Sequence, residues 1–363
     1  LAGNDLARPA RRPRVAHVNV ARGYRGGERQ TELLVRGLAE RGIEQVLVAR
    51  KGATLAARLG DTAVEVRGVR GGPIGTCLAT RGVDVVHVHE GRSIYGAYLR
   101  SLVSGTPYIA TRRVDKRIGN HYFAHRAYRR AACVVALSPQ VAAILHAFDR
   151  AINVRVVPSS TSGLTSDPVR VAAIRSQLPG RFVVGHVGAL DTQKGQEFIL
   201  DVARRFKVTR PEVCFVLVGG GEHEVELKAV AKALGNVVLT GFVDNVGDYL
   251  AAFDVFAFPS RGEGLGSILL DAMEFGLPIV ATAVGGVPSI VRDGENGILV
   301  QPESPTELAR GIERLIDSAA LRSSMGDAGK RISADYTAEQ MCARYLALYH
   351  AIAGDAAVEH RAA

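Results

Sequence analysis

The chain has 363 residues, is 47% hydrophobic and 22% charged, and carries a formal net charge of +9. That is the make-up of a soluble globular protein with apolar material for two cores, and no run of eighteen apolar residues is present to form a spanning helix. Cys77, Cys133, Cys214 and Cys342 lie far apart, which argues against a zinc module or a disulfide framework and suits a reducing cytosol. Residues 1–14 are basic and contain proline; without an apolar stretch they read as a partly disordered or truncated start, not a secretory signal. Residues 1–179 hold 28 Lys and Arg against 12 Asp and Glu, a balance of +16, whereas the remainder stands at −7. This opposition supports a domain boundary and points the first half toward an anionic partner.

In chain order, short apolar runs predict strands near 15–20, 45–49, 63–66, 83–89, 108–111, 133–137 and 154–157. Helical patterns lie between most of them, including 28–41 and 139–148. Residues 158–168, rich in Ser, Thr, Gly and Pro, have the composition of a linker. The rhythm then restarts with strands near 182–187, 214–218, 237–239, 255–258, 278–282 and 297–300. Helices are expected near 195–208, 222–234, 267–275 and 305–317, and an amphipathic one over 337–353. The reading is α/β, with two Rossmann-like doubly wound domains facing across a cleft, residues 1–160 and 168–336. The last helix (337–354) would pack back on the first domain. Ligands of such sheets bind beyond the carboxyl ends of the strands.

Three strand–helix turns carry chemistry. After 255–258 comes Pro259-Ser-Arg-Gly-Glu263-Gly-Leu-Gly266 and then a helix, where free N–H groups and the helix dipole favour an anion. Glu263 before that helix and Asp271 within it could hold hydroxyl groups, because a carboxylate accepts more than one hydrogen bond; a capped helix with a solvated acid would show the same spacing. After 182–187, Gly188 through Lys194-Gly195 offers a lysine suited to phosphate, or an exposed loop lysine. After the first strand, Arg22 to Glu28 contains Gly26-Gly27 but matches neither established phosphate-loop signature, so a tight turn explains it as well.

The run Glu263 to Glu274 resembles the Glu–seven residues–Glu motif of family 4 retaining glycosyltransferases. The resemblance extends through Val187-Gly188, Lys194-Gly195, Val218 to Gly221, Gly241-Phe-Val-Asp244, Pro278 to Thr282, Gly285 to Pro288 and Asn296 to Leu299. It covers about residues 14–350 and is densest in the second half. It implies the GT-B fold and transfer of a hexose-type sugar from a nucleoside-diphosphate sugar, with retention and without a metal or other cofactor. Lys194 and Glu263 would be catalytic, Lys194 holding the diphosphate and Glu263 the sugar hydroxyls. Gly188, Gly264, Leu265 and Gly266 would also line the donor, Asp271 would hold the ribose, and Gly241, Phe242 and Val243 would lie along the base. Gly26, Gly27 and Glu28, with His89, Arg112 and Arg113, would face the acceptor. His89 also fits a satisfied histidine at the end of a buried strand.

This chain departs from the family pattern in three places. Asp271 replaces the second glutamate, Ala189 stands where relatives carry an arginine, and Arg112-Arg113 replaces a histidine after the fifth strand. Lys194 and two helix N-termini supply about +2 against the two to three charges of a diphosphate, so a further cation is expected: Arg261 first, then Arg22 and Arg25. The basic-aromatic stretch 112–130 suits a phosphorylated or lipid-linked saccharide acceptor, such as a lipopolysaccharide core, reached from the cytoplasmic face of an anionic membrane. A solvated basic helix with its aromatics turned inward is the plainer alternative. A nucleotide-sugar 2-epimerase would want clustered acids and histidines that are not found, while a non-catalytic sugar-nucleotide binder fits the departures at Ala189 and Asp271. The chain has no nucleic-acid-binding motif, and Val218 to Glu222 lacks dinucleotide-fingerprint spacing.

Overall fold

The computed structural model describes residues 12–119 and 121–362, with side chains through 354. Residues 1–11 of the expected disordered start, and Asn120 of the basic stretch, lie outside the described residues. The first half alternates β1 (Val15–Asn19), α1 (Gly26–Glu40), β2 (Gln45–Arg50), α2 (Thr54–Arg58), β3 (Glu65–Val69), α3 (Pro73–Ala79) and β4 (Val85–Val88). It continues through α4 (Ile94–Ser104), β5 (Tyr108–Arg112), α5 (Tyr122–Arg130), β6 (Cys133–Ala136), α6 (Pro139–Phe148) and β7 (Val154–Val156). The seven strands pair in parallel in the order β3-β2-β1-β4-β5-β6-β7.

After an extended segment, the second half runs α7 (Pro168–Gln177), β8 (Phe182–Val187), α8 (Gln196–Thr209), β9 (Val213–Val218), α9 (Glu224–Leu234), β10 (Val237–Gly241) and α10 (Val246–Ala251). Then come β11 (Val255–Phe258), α11 (Ser267–Glu274), β12 (Ile279–Thr282), β13 (Gly297–Val300), α12 (Pro305–Asp317), α13 (Ala319–Ser333) and α14 (Ala338–Ala362). This sheet is also parallel, in the order β10-β9-β8-β11-β12-β13.

The apolar runs are continuous because each sheet is covered on both faces. In the second sheet, Val184, Phe215, Leu217, Val255 and Val280 pack with residues of α8, α9 and α12. Their neighbours in sequence, Val183, Val216, Phe256 and Ile279, turn the other way toward α11. In the first sheet, Val15, Val85, Ile109 and Val135 pack with Leu34 and Leu38 of α1 and with Met341, Cys342, Tyr345 and Tyr349 of α14. The C-terminal helix thus returns to the first sheet and seals one of its faces. All four cysteines are buried free thiols. No helix among the described residues is long and apolar enough to cross a membrane.

Strand order reverses between β1 and β4, and again between β8 and β11. At these switch points neighbouring crossovers go to opposite faces and leave a crevice beyond the strand ends. The loops after β1, β5, β8, β9 and β11 from both sheets line a single cleft of about 550 Å³.

Candidate functional site

The turn carrying Glu263 is braced from several sides. Thr282 Oγ1 donates to the Ser260 carbonyl (2.5 Å), Gln193 Nε2 to that of Gly262 (2.7 Å) and Ser138 Oγ to that of Gly264 (2.7 Å), while Gly286 N–H donates to the Glu263 carbonyl (2.9 Å). Gly266 caps α11 at φ 83°, in the left-handed region that favours glycine. The residues after β8 form a short helical turn, Thr192–Lys194, followed by Gly195. A Cβ on Gly195 would sit 2.2 Å from the Pro259 carbonyl oxygen, so only glycine lets the lysine turn lie against the glutamate turn. Lys194 consequently donates to Glu263 Oε1, which also accepts from Ser260 Oγ at 3.0 Å. Oε2 takes no hydrogen bond among the described residues and is left to accept from a ligand.

From the first half, α1 opens at Gly26 on the same cleft. Glu28 Oε2 accepts from Arg25 N–H (3.0 Å), which fixes the entry to the helix. A Cβ placed on Gly26 would lie 3.3 Å from Ser267 Oγ, so the N-termini of α1 and α11 converge from opposite sides of the cleft.

Gly188, Lys194, Phe242, Val243, Glu263, Leu265, Gly266, Asp271, Gly26 and Arg113 all line this cleft. Gly241 and Gly264 do not. The Gly241 carbonyl is taken by Gly219 N–H (3.0 Å) and its backbone is left-handed at φ 74°, while a Cβ on Gly264 would meet the Arg113 carbonyl oxygen at 2.1 Å, so backbone conformation favours glycine at the first and close packing requires it at the second. Glu28, His89 and Arg112 instead line a smaller neighbouring pocket of about 180 Å³, which Arg113 shares. Gly27 lines neither and packs on the aliphatic part of Arg113.

Arg261 is a correction. It lies outside the cleft lining: its guanidinium pairs with Glu197 and with Glu303 (2.8 Å), stacks 4.7 Å from the Phe198 ring centroid, and donates to the Thr192 carbonyl. Two carboxylates and an aromatic face already compensate this charge, so it is not offered to an anion in the cleft. Arg22 is exposed and also outside the lining. Arg25 does line the cleft and reaches Asp191 at 3.5 Å.

Asp271 is buried, and both its oxygens are already engaged: Oδ1 accepts from Ser162 N–H (2.5 Å) and Oδ2 from Ser162 Oγ (3.0 Å). Burial pushes its carboxyl up to about 7, against the opposing effect of those two bonds. Ser162 belongs to the segment read as a plain linker. Its neighbour Ser160 exchanges bonds with Gln30 of α1 (2.8 and 2.9 Å), and Arg29 donates to the Ser162 carbonyl (3.1 Å). The linker thus ties α1 to α11 and forms part of the cleft wall. Its composition was visible in the sequence, but these partners, more than a hundred residues away, were not.

A second feature was only partly legible in the sequence, which offered His89 as a satisfied histidine at the end of a buried strand but no cluster of histidines. His17 of β1 and His87 of β4 are register partners, and with His89 they form a buried imidazole group. His17 Nδ1 lies 3.0 Å from His89 Nε2, while His87 bonds Tyr349 (2.6 Å) and Thr111 (2.7 Å). Burial holds all three far below the ordinary imidazole value, His17 at about 3. The three could converge on a metal ion, but both ring nitrogens of His87 already have hydrogen-bond partners and Arg113 adjoins His89 (3.5 Å). The cluster therefore reads as a neutral hydrogen-bonded core between the sheet and α14.

On the outer face, α5 turns Tyr122 and Phe123 to solvent at 63% and 64% exposure while Tyr128 is buried. The inward packing of all three aromatics does not occur.

Comparison with known proteins adds the following. Residues 181–318 match the family model described as glycosyl transferases group 1. The chain is 27% identical over 329 residues to the lipopolysaccharide core biosynthesis glycosyltransferase LpsE of Rhizobium meliloti, covering 89% of this chain and 95% of that protein. It is 34% identical over 159 residues to an uncharacterized glycosyltransferase of Haemophilus influenzae; that match spans 43% of this chain and less than half (45%) of that protein. The crystal structure of Anabaena Alr3699/HepE in complex with UDP-glucose superposes with a TM-score of 0.81 at 21% identity, covering 92% of this chain and 98% of that one. This likeness establishes the two-domain GT-B architecture.

Proposed function

We propose, from the match of residues 181–318 to the group 1 glycosyl transferases, that the chain is a retaining glycosyltransferase using a nucleoside-diphosphate sugar. The observation that carries this reading is the Lys194–Glu263 pair beside the point where two helix N-termini meet. Lys194 and the two N-termini offset the charge that develops on the departing diphosphate. Glu263, held through Oε1, keeps Oε2 for a hydroxyl of the transferred sugar. Phe242 and Val243 border the base, and Asp271 faces the ribose once Ser162 yields one of its bonds. Catalysis then rests on positioning and electrostatic stabilisation of an oxocarbenium-like transition state, without a metal. The UDP-glucose bound by the Anabaena protein supports the donor class.

The acceptor in this reading is a lipid-linked or phosphorylated saccharide of the lipopolysaccharide-core type, met at the cytoplasmic face of an anionic membrane. The role of the Rhizobium relative supports it, as do the outward Tyr122 and Phe123 of α5 beside Arg126. The test is thermal unfolding against UDP, GDP, ADP and CMP, with and without EDTA. Synthesis from the matching nucleotide sugars onto a phosphorylated saccharide in anionic vesicles follows, with the product anomer read by NMR. A nucleoside diphosphate at 100 times its Kd adds about 2.7 kcal/mol of stability. One base should stand out, indifferent to EDTA; no shift with any of them would refute the donor reading.

A further inference from the structure

We infer that Arg113 is a diphosphate-binding residue, taking the place of the cation missing at Ala189; this rests on the nucleoside-diphosphate reading above and moves Arg113 from the acceptor side to the donor side. Arg113 follows β5 at the carboxyl edge of the first sheet and lines both the main cleft and the smaller pocket. Its Cδ lies 3.4 Å from a Cβ placed on Gly27, and its carbonyl oxygen abuts Gly264. It is therefore wedged between the two glycine turns that open α1 and α11, the helices whose N-termini converge across the cleft.

Of the other cations of the cleft, three are paired with carboxylates and the fourth, Arg29, is held by a backbone carbonyl. Lys194 pairs with Glu263, Arg25 with Asp191 (3.5 Å), and Arg58 with Glu32 (3.1 Å) and Asp244 (3.7 Å), while Arg29 donates to the Ser162 carbonyl. Arg113 forms no ion pair with a carboxylate among the described residues. Its Nη2 lies 3.5 Å from Nδ1 of the neutral His89, and its Nε is buried without a partner. A half-buried guanidinium whose Nε is shut away in this state costs stability until an anion joins it. The same burial strengthens its attraction for one and pulls its pKa below the ordinary arginine value. Glu28 acts on this guanidinium only from beyond ion-pair distance; two helix N-termini and a guanidinium without an ion pair around one point suit a group carrying two to three negative charges, and a planar fork can bond two phosphate oxygens at once. Ala189 borders the same cleft, so an arginine placed there would approach the same anion from the second sheet.

The experiment measures binding of a nucleoside diphosphate, its monophosphate and the nucleoside (UDP, UMP and uridine as first probes) by calorimetry. The proteins are wild type, Arg113→Ala, Arg113→Lys and the double variant Arg113→Ala with Ala189→Arg. Arg113→Ala should weaken UDP at least tenfold and uridine less than twofold. Arg113→Lys should fall between, and Ala189→Arg should restore at least threefold of the loss. Unchanged UDP affinity in Arg113→Ala, with a raised KM for the saccharide acceptor, would overturn the inference in favour of an acceptor contact. Equal losses for UDP and uridine would overturn it in favour of a structural role. A wild-type protein that binds none of the nucleotides in the panel would refute the donor reading itself, and this inference with it.

Discussion

Asp271→Asn separates the ligand role of this carboxyl from its effect on stability. In the folded chain the group titrates near 7 instead of 3.8, chiefly through burial. The native state therefore holds its proton more tightly than the unfolded state. Between about pH 4 and pH 7 the native state binds more protons, so stability falls as pH rises and levels off above about 7. The shift of roughly three units, at 1.36 kcal/mol each, sets a penalty of about 4 kcal/mol at pH 8 and well under half of that at pH 5. Asparagine keeps an oxygen for Ser162 N–H and carries no charge. Its advantage over wild type should therefore grow by roughly 3 kcal/mol from pH 5 to pH 8.

The difference between the two proteins is the quantity to measure, because His17, His87, His89 and His186 act in the opposite sense. Burial lowers all four, so the unfolded state gains protons below about pH 6.5 and stability drops toward acid. These contributions are common to both proteins and cancel. Urea unfolding at half-unit pH steps provides the curve, and nucleoside affinity at pH 8 should fall about fivefold in the variant as a hydroxyl acceptor is lost. A difference curve flat within about 0.5 kcal/mol would refute the burial argument. A fully retained nucleoside affinity would remove Asp271 from the ribose site.

Three further outcomes follow from the same geometry. Arg261→Ala should leave UDP affinity within twofold and cost under about 1 kcal/mol in urea unfolding, because its partners are partly exposed ion pairs; a tenfold loss of affinity would return it to the donor site. Gly264→Ala places a Cβ 2.1 Å from the Arg113 carbonyl oxygen and should lower transfer at least a hundredfold by spreading the two turns, measured as kcat/KM. Normal turnover would show that the cleft opens there at no cost. Tyr122→Ala with Phe123→Ala removes two exposed aromatics from α5 and should weaken sedimentation with phosphatidylglycerol vesicles at least fivefold at unchanged UDP affinity, whereas equal vesicle binding would exclude α5 as the membrane face.

The strands and most of the turns were legible because each rests on local chemistry: buried parallel strands demand unbroken apolar runs, and crossover helices demand a periodic face. Lys194, Glu263 and Gly26 could be placed at the cleft because a strand end followed by a helix start fixes where such residues go. Side-chain direction at a turn is another matter. Arg261 stands two residues from Glu263, yet its orientation is decided by Glu197 and Glu303, which no local pattern connects to it. The glycines show the same limit, since Gly241 and Gly264 sit in ligand-like turns but are explained by a left-handed backbone (φ 74°) at the first and by the approach of neighbouring backbone at the second.

The charge asymmetry acquires a second meaning in the fold. Arg25 and Arg58 of the positive half meet Asp191 and Asp244 of the negative half across the cleft, at 3.5 and 3.7 Å. Part of the anionic partner demanded by the first 179 residues is thus the remainder of the same chain. The sequence could show the imbalance but not which arginines the second half satisfies. Because the members of both pairs are partly exposed to solvent, salt weakens them readily. Arg113, set between two glycine turns, forms no ion pair with a carboxylate among the described residues. Its guanidinium therefore stays available where the two helix N-termini converge, and in the reading above that is where an anionic ligand gains most from binding.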